Sequence, residues 1–171
     1  MRILGIDPGS VVTGFGVIDH VRGVLSIVEH GCISPRRGDV LASRLSYIHE
    51  QLVEVIHRTR PEAVAVESPF HGPNVKSLIQ LSHARGVILL SAQNAGLAVF
   101  EYSPRSVKSA VVGYGGAEKH QVEHMVRLLI KGLQGQKIPA DAADALAIAV
   151  CHAHTHREIR LAVARGARSS G

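Results

Sequence analysis

Apolar positions along this chain switch between a strand period and a helix period, and the switches set out an α/β order. Arg2 to Ile6 is a short apolar run ending in Asp7-Pro8-Gly9-Ser10, the pattern of a buried strand entering a turn. Val11 to Asp19 alternates and carries Gly14 and Gly16, which predicts a second strand. Arg22-Gly23 forms a turn, and Val24 to Ile33 reads as a third strand. Three strands with short turns predict an antiparallel meander, broken by Pro35-Arg36-Arg37-Gly38. The period then changes. Leu41, Leu45, Ile48, Leu52, Val55 and Ile56 mark an amphipathic helix from Asp39 to Thr59. Ala63 to Glu67 is a fourth strand, parallel to the first because a helical crossover precedes it.

Ser68 to Pro73 is a loop with two prolines. A helix over Asn74 to Ala95 and a fifth strand over Leu97 to Tyr102 follow. Pro104 suits the first turn of a short helix that ends near Val112. Gly113 to Gly116 is a flexible connection, Glu118 to Lys131 a helix, and Gly132 to Ile138 a loop. Pro139 precedes a final helix from Ala140 to His152. No repeat or linker interrupts this order. It predicts one mixed α/β domain over 1–154, with a five-stranded sheet flanked by helices, and a basic, frayed tail over 155–171.

Composition narrows the classes. A chain of 171 residues has room for one core, and is too short for a two-lobed actin-like ATPase or sugar kinase. Hydrophobic residues at 46% and charged residues at 19% exclude a disordered chain. No apolar run has the length of a bilayer span, and the N-terminus lacks a signal-peptide core. Cys32 and Cys151 cannot form a disulfide framework and fit a reducing cytoplasm. The net charge of +5 suits an anionic partner such as nucleic acid. It also suits an ordinary soluble protein with a few surface arginines.

Four carboxylates carry the candidate chemistry. Asp7 closes the first strand, where α/β sheets place ligands, although Asp-Pro-Gly is also a plain turn signal. Glu67 ends the fourth strand. A buried acid there requires a partner, solvent or a cation. If strands one and four are parallel neighbours, Asp7 and Glu67 emerge at one end of the sheet. Asp141 and Asp144 stand three apart on one helix face, where capping and the helix dipole also favour acids. Capping needs only one of them. The alanines around them predict close approach of that helix to the sheet, bringing both acids toward Asp7 and Glu67. Such a set of hard oxygen donors suits two Mg²⁺ or Mn²⁺ ions and phosphoryl transfer, with basic residues holding phosphates.

Taken together, Gly5-Ile6-Asp7-Pro8-Gly9-Ser10 with Thr13-Gly14, Val66-Glu67, the segment Gly113 to Gln121, and Asp141-Ala142-Ala143-Asp144-Ala145-Leu146-Ala147 resemble the RuvC-type Holliday junction resolvases. The blocks occur in that family's order and extend to about His154. The resemblance implies an RNase H-like fold and a homodimer in the cytoplasm. It implies an endonuclease that makes paired symmetric nicks in four-way DNA junctions during recombination and repair, leaving 5′-phosphate and 3′-hydroxyl ends. It also implies action alongside the branch-migration proteins RuvA and RuvB, and no membrane. Asp7, Glu67, Asp141 and Asp144 match the family's acidic positions. Lys108 and Lys119 match its basic positions for DNA contact, with Lys119 also linked to catalysis. Phe70 matches an aromatic that stacks on a base.

Read from the residues alone, Phe70 lies in a proline-bounded loop and either stacks on a base or folds onto the core. Lys119 follows a glycine-rich loop at a helix start and either meets a phosphate or is solvated. Tyr114, between glycines, is a mobile candidate DNA contact. The helix over Asn74 to Ala95 either buries one face and offers the other to a symmetry mate or is buried all round. His152, His154 and His156 beside Cys151 lack standard zinc spacing and read as surface histidines; His120 and His124 invite the same restraint. Two further readings stand beside the junction endonuclease: a non-catalytic DNA-structure-binding module, and an RNase H-type nuclease acting on RNA–DNA hybrids. Intact acids argue against the first, since an unneutralised acidic cluster weakens DNA binding.

Overall fold

A computed structural model of the chain describes residues 1–68 and 75–166, with side chains described up to residue 156. Six strands form one mixed sheet. They are β1 (Arg2–Asp7), β2 (Thr13–Val21), β3 (Val24–Ile33), β4 (Ala63–Glu67), β5 (Ala98–Tyr102) and β6 (Ile130–Lys131). Their order across the sheet is β5-β4-β1-β2-β3-β6. The meander β1-β2-β3 is antiparallel, and β4 lies parallel to β1, as the crossover helix requires. Five helices flank the sheet: α1 (Leu41–Thr59), α2 (Val75–Asn94), α3 (Pro104–Val112), α4 (Lys119–Leu129) and α5 (Ala140–Gly166).

Two boundaries differ from the sequence expectation. The sheet has six strands rather than five, because the helix expected to reach Lys131 stops at Leu129. Ile130 turns to extended backbone, is fully buried and pairs with Leu25 on the free edge of β3. Gly132 then takes φ 88°, which no continuing helix tolerates. At the other end, α5 runs to Gly166, well past His152, and so takes up most of the expected frayed tail. Nothing between His152 and Gly166 is a proline or glycine, so no residue type there stops a helix.

Alternation along the strands sorts the core into two layers. Leu4, Ile6, Phe15, Val17, Val64 and Val66 face Ile48, Leu52 and Val55 of α1 and Ala84, Ile88 and Ala92 of α2. On the other face, Ile3, Ile18 and Ala65 pack against α3, α4 and α5. Helix α2 buries Ala84, Ile88, Ser91 and Ala92 and leaves Val75, Ile79 and Leu90 exposed, so it is not buried all round.

A close backbone-to-backbone contact lies between α5 and the middle of the sheet. Gly5, Gly14 and Gly16 all point at this helix. A Cβ on Gly5 would collide with the Ala145 carbonyl and the Ala149 backbone, and one on Gly14 with the Asp141 carbonyl. One on Gly16 would stand 2.6 Å from Leu146 Cδ2. The helix answers with Ala142, Ala143, Ala145, Ala147 and Ala149, all buried. Small residues on both surfaces let the two backbones approach, and the acids of α5 are carried in with them.

Two substitutions separate this contact from general glycine effects. Gly14→Ala overpacks a backbone-to-backbone contact and is expected to lower the melting temperature by roughly 4–10 °C. Gly86→Ala, in α2 with open space around it, is expected to be neutral or slightly stabilising. Thermal unfolding of both variants checks this. A Gly14→Ala melt equal to wild type would remove the close approach as a constraint.

Candidate active site

Strand register places the first two acids. Ile6 pairs with Val66 across the parallel β1–β4 ladder, so Asp7 and Glu67, one residue further on, leave the sheet side by side. By alternation both share the face of Gly5 and Ala65, the face covered by α5. Asp7 pairs with Gly14 on β2, and Gly14 lies under the Asp141 carbonyl. The glycine contact therefore fixes Asp141 next to Asp7. Asp144 is one helical turn on. The turn after Asp7 is closed by the Thr13 hydroxyl, which donates to the Gly9 carbonyl at 2.7 Å, so β2 begins at Thr13.

The electrostatics report the same grouping. Asp7 is pushed up from the usual 3.8 to about 7, first by burial, then by Glu67, Asp144 and Asp141 in turn, with Lys119 opposing. Glu67 is also raised, first by burial and then by Asp144, against Lys108 and Lys119. Asp7 thus feels the other three carboxylates, and the site is short of positive charge. Lys119 supplies part of it. Its Nζ donates to Asp144 Oδ2 at 2.6 Å, and this bond raises the lysine's own pKa.

Among the described residues, no three His, Cys, Asp or Glu side chains stand as a ready-made ligand group for one ion, the four acids included. Asp144 is turned to Lys119 instead. The chemistry of the donor set nonetheless fits hard divalent cations: four carboxylates, no sulfur or imidazole, and an Asp7 whose ionisation is suppressed by burial and then by its acidic neighbours.

Two clefts open beside Glu67. One is lined by Glu67, Lys108, Lys119 and Asp144, with Pro104 and Val107. The other is lined by Asp7, Pro8, Glu67, Ser68, Leu81, Arg85 and Pro104. Lys108, on α3, and Lys119, at the start of α4, therefore do converge on the acids. Tyr114 is tied down despite its glycine neighbours: its hydroxyl donates to Gln121 Oε1 at 2.8 Å, while the ring stays half exposed. Phe70 lies outside the described residues.

The C-terminal histidines are not all on the surface. His152 is buried, its Nδ1 2.8 Å from the Tyr102 hydroxyl and its ring 4.5 Å from Phe100. Burial, with His156 adding, pushes it down to about 4, so it is neutral near pH 7. His154 bonds the Ala110 carbonyl through Nδ1 at 3.0 Å, and Cys151 is buried. These side chains dock α5 onto β5 and α3; their i, i+2 and i, i+4 spacing carried no signal of that. Two residues beside the acids also went unread. Cys32, opposite Gly14 on β3, sits in the field of Asp141 and is raised first by burial. Arg85 was one arginine in a helix, with nothing in the sequence to connect it to Asp7.

Comparison with known proteins agrees with this geometry. The family described as "Crossover junction endodeoxyribonuclease RuvC" matches residues 3–152. A curated protein of that name from Dehalococcoides mccartyi is 49% identical over 92% of this chain and 94% of its own. One from Chloroflexus aggregans is 47% identical over 91% of this chain and 94% of its own. Among solved structures, T. thermophilus RuvC in complex with a Holliday junction substrate superposes with TM-score 0.86 at 36% identity, covering 92% of this chain and 96% of that one. The yeast mitochondrial Holliday junction resolvase Ydc2, at 15% identity and TM-score 0.65, shares the fold. With a family match over nearly the whole folded region and relatives close to half identical, this chain belongs to the RuvC family of crossover junction endodeoxyribonucleases.

Proposed function

We propose that the protein resolves four-way DNA junctions by divalent-cation-dependent hydrolysis of one phosphodiester bond on each of two opposed strands. The observation that carries the reading is the placement of Asp7, Glu67, Asp141 and Asp144 in one electrostatic neighbourhood, with Lys108 and Lys119 lining the adjoining cleft. Catalysis is assigned to the four acids and Lys119, and DNA contact to Lys108, Lys119, Tyr114 and Phe70.

Asp7, Glu67, Asp141 and Asp144 would hold the cations, two Mg²⁺ per site with Mn²⁺ as a substitute. Bound there, such ions stabilise charge on the phosphoryl oxygens and acidify the attacking water. The chain's own groups do the rest. Asp7 must lose the proton that burial and its acidic neighbours favour before it can serve as a ligand, so cation affinity rises with pH toward and beyond about 7. Lys119 neutralises Asp144 in the free protein, and its exposed ammonium also faces the cleft where a phosphate would lie. Lys108 adds a second positive charge there. Attack by water at phosphorus with departure of the 3′ oxygen, which takes up a proton, would leave 5′-phosphate and 3′-hydroxyl ends. A homodimer presents two such sites to a two-fold junction. Cytoplasmic action beside RuvA and RuvB completes the reading. Among the described residues no helix is long and apolar enough to cross a membrane.

The deciding assay incubates the protein with a four-way junction, a linear duplex and an RNA–DNA hybrid, each with Mg²⁺ or EDTA. Symmetric nicks confined to the junction and requiring Mg²⁺ are expected. Asp7→Asn is expected to bind the junction as tightly as wild type and to lose at least about 10²-fold in cleavage. Equal cleavage by that variant would overturn the site assignment, and cleavage of the hybrid in preference would overturn the substrate.

Stability gives an independent check. A carboxyl raised in the folded state favours folding below its ordinary 3.8, and that contribution is lost as pH rises through about 7. Without divalent cations, Asp7 is therefore expected to destabilise the protein at pH 8 by roughly 2–4 kcal/mol. In EDTA at pH 8, Asp7→Asn should melt at least about 4 °C above wild type, with no gain near pH 4. A lower melting temperature for the variant at pH 8 would contradict the crowding of charge.

A further inference from the structure

Helix α5 crosses the sheet from β2 toward β5 and is held differently along its length. Near its start, the Asp141 carbonyl lies over Gly14 of β2, and Ala145 and Ala149 lie over Gly5 of β1. These are contacts of small groups, with Leu146 over Gly16 among them. They set how close the helix lies more than how it is turned. Further along, a directional bond takes over. His152 is about two turns beyond Asp144, at spacing i, i+8. Ile148, between them, lines the cleft that Glu67 and Asp144 share. His152 Nδ1 is 2.8 Å from the Tyr102 hydroxyl. Tyr102 is the ladder partner of Glu67, and its carbonyl accepts the Ser68 N–H at 2.8 Å. The strand end that carries Glu67 and the helix that carries Asp144 are therefore joined through one hydrogen bond.

That bond is kept at a cost. His152 is 1% exposed, and its Nε2 is buried with no hydrogen-bond partner among the described residues. A buried polar atom left unpaired is costly, whereas an apolar side chain in the same space carries no such penalty. Packing against Phe100 alone gives no reason for an imidazole here. Burial, with His156 adding, keeps the ring neutral, and burial keeps the Tyr102 phenol protonated, so the bond is one between uncharged partners. We propose that Tyr102 and His152 are positioning residues for the cation site: their hydrogen bond fixes how α5 is turned against the end of β4, and so the spacing of Asp144 from Glu67. This deepens the cation-site reading above and rests on it. The pair acts through the two acids and not on the cation or the DNA. Without the bond, α5 still docks through its alanines, but Asp144 and Glu67 are no longer held at one spacing.

The test removes the bond while keeping the space filled. A double variant, Tyr102→Phe with His152→Leu, replaces both polar partners by apolar groups, so its melting temperature in EDTA is expected to equal or exceed that of wild type. Its Mn²⁺ affinity, read from the free-ion electron paramagnetic resonance signal at pH 8, is expected to fall about ten- to a hundredfold. Its affinity for a four-way junction in EDTA should match wild type. His152→Asn is the rescue, since its amide stands where Nδ1 does and can bond the Tyr102 hydroxyl; it should keep most of the Mn²⁺ affinity that His152→Leu loses. Tyr102→Phe alone removes a single oxygen, and its Mn²⁺ affinity decides the matter should the double variant melt low. If the folded variants bind Mn²⁺ as tightly as wild type, the bond only packs α5 and the inference is overturned. Loss of Mn²⁺ affinity only in step with a lower melting temperature overturns it too. If wild type itself shows no saturable Mn²⁺ binding, the cation-site reading fails instead.

Discussion

The architecture depends on how closely α5 can lie on β1 and β2. Three glycines on the strands and a run of alanines on the helix let the two backbones approach, with Leu146 seated over Gly16. This contact gains little from burial of large groups. Its value is positional, because it sets Asp141 over Gly14 and therefore beside Asp7, its partner in the ladder. Parallel pairing of β1 with β4 then brings Glu67 to the same place. One packing constraint and two registers assemble acids from three distant segments.

That assembly is electrostatically unfavourable on its own. Burial at the end of the sheet opposes the ionisation of Asp7 and Glu67, and their acidic neighbours add to it. Lys119 relieves Asp144, while among the described residues no hydrogen bond or ion pair of that kind reaches Asp7 or Glu67. A fold that maintains this arrangement invites cations, and Lys108 and Lys119 in the adjoining cleft invite an anionic polymer. The overall charge of +5 hides this separation into an acidic centre and basic walls.

Much of this was legible in the sequence because local pattern and chemistry pointed the same way. The meander, the crossover to β4 and the strand-end acids follow from periodicity, and the alanines around Asp141 and Asp144 announced a close approach. Strand β6 was not legible, since two residues of extended chain after a helix leave no period to read; only Gly132 hinted at the stop. The length of α5 was hidden because an arginine-rich stretch without an apolar period reads as a tail, although no proline or glycine before Gly166 stops the helix. His152 looked like a surface histidine until Tyr102 and Phe100 were placed against it from fifty residues away. Arg85 became visible only when α2 placed it in the wall of the cleft that Asp7 and Glu67 also line.

The central claim is that α5 docking builds one divalent-cation site from Asp7, Glu67, Asp141 and Asp144. Counting bound Mn²⁺ directly, by the loss of free-ion electron paramagnetic resonance signal at pH 8, tests it without any substrate. Wild type should bind Mn²⁺ in a saturable manner, and a folded variant with all four acids changed to their amides should bind none. Equal Mn²⁺ binding by the two proteins would contradict the account.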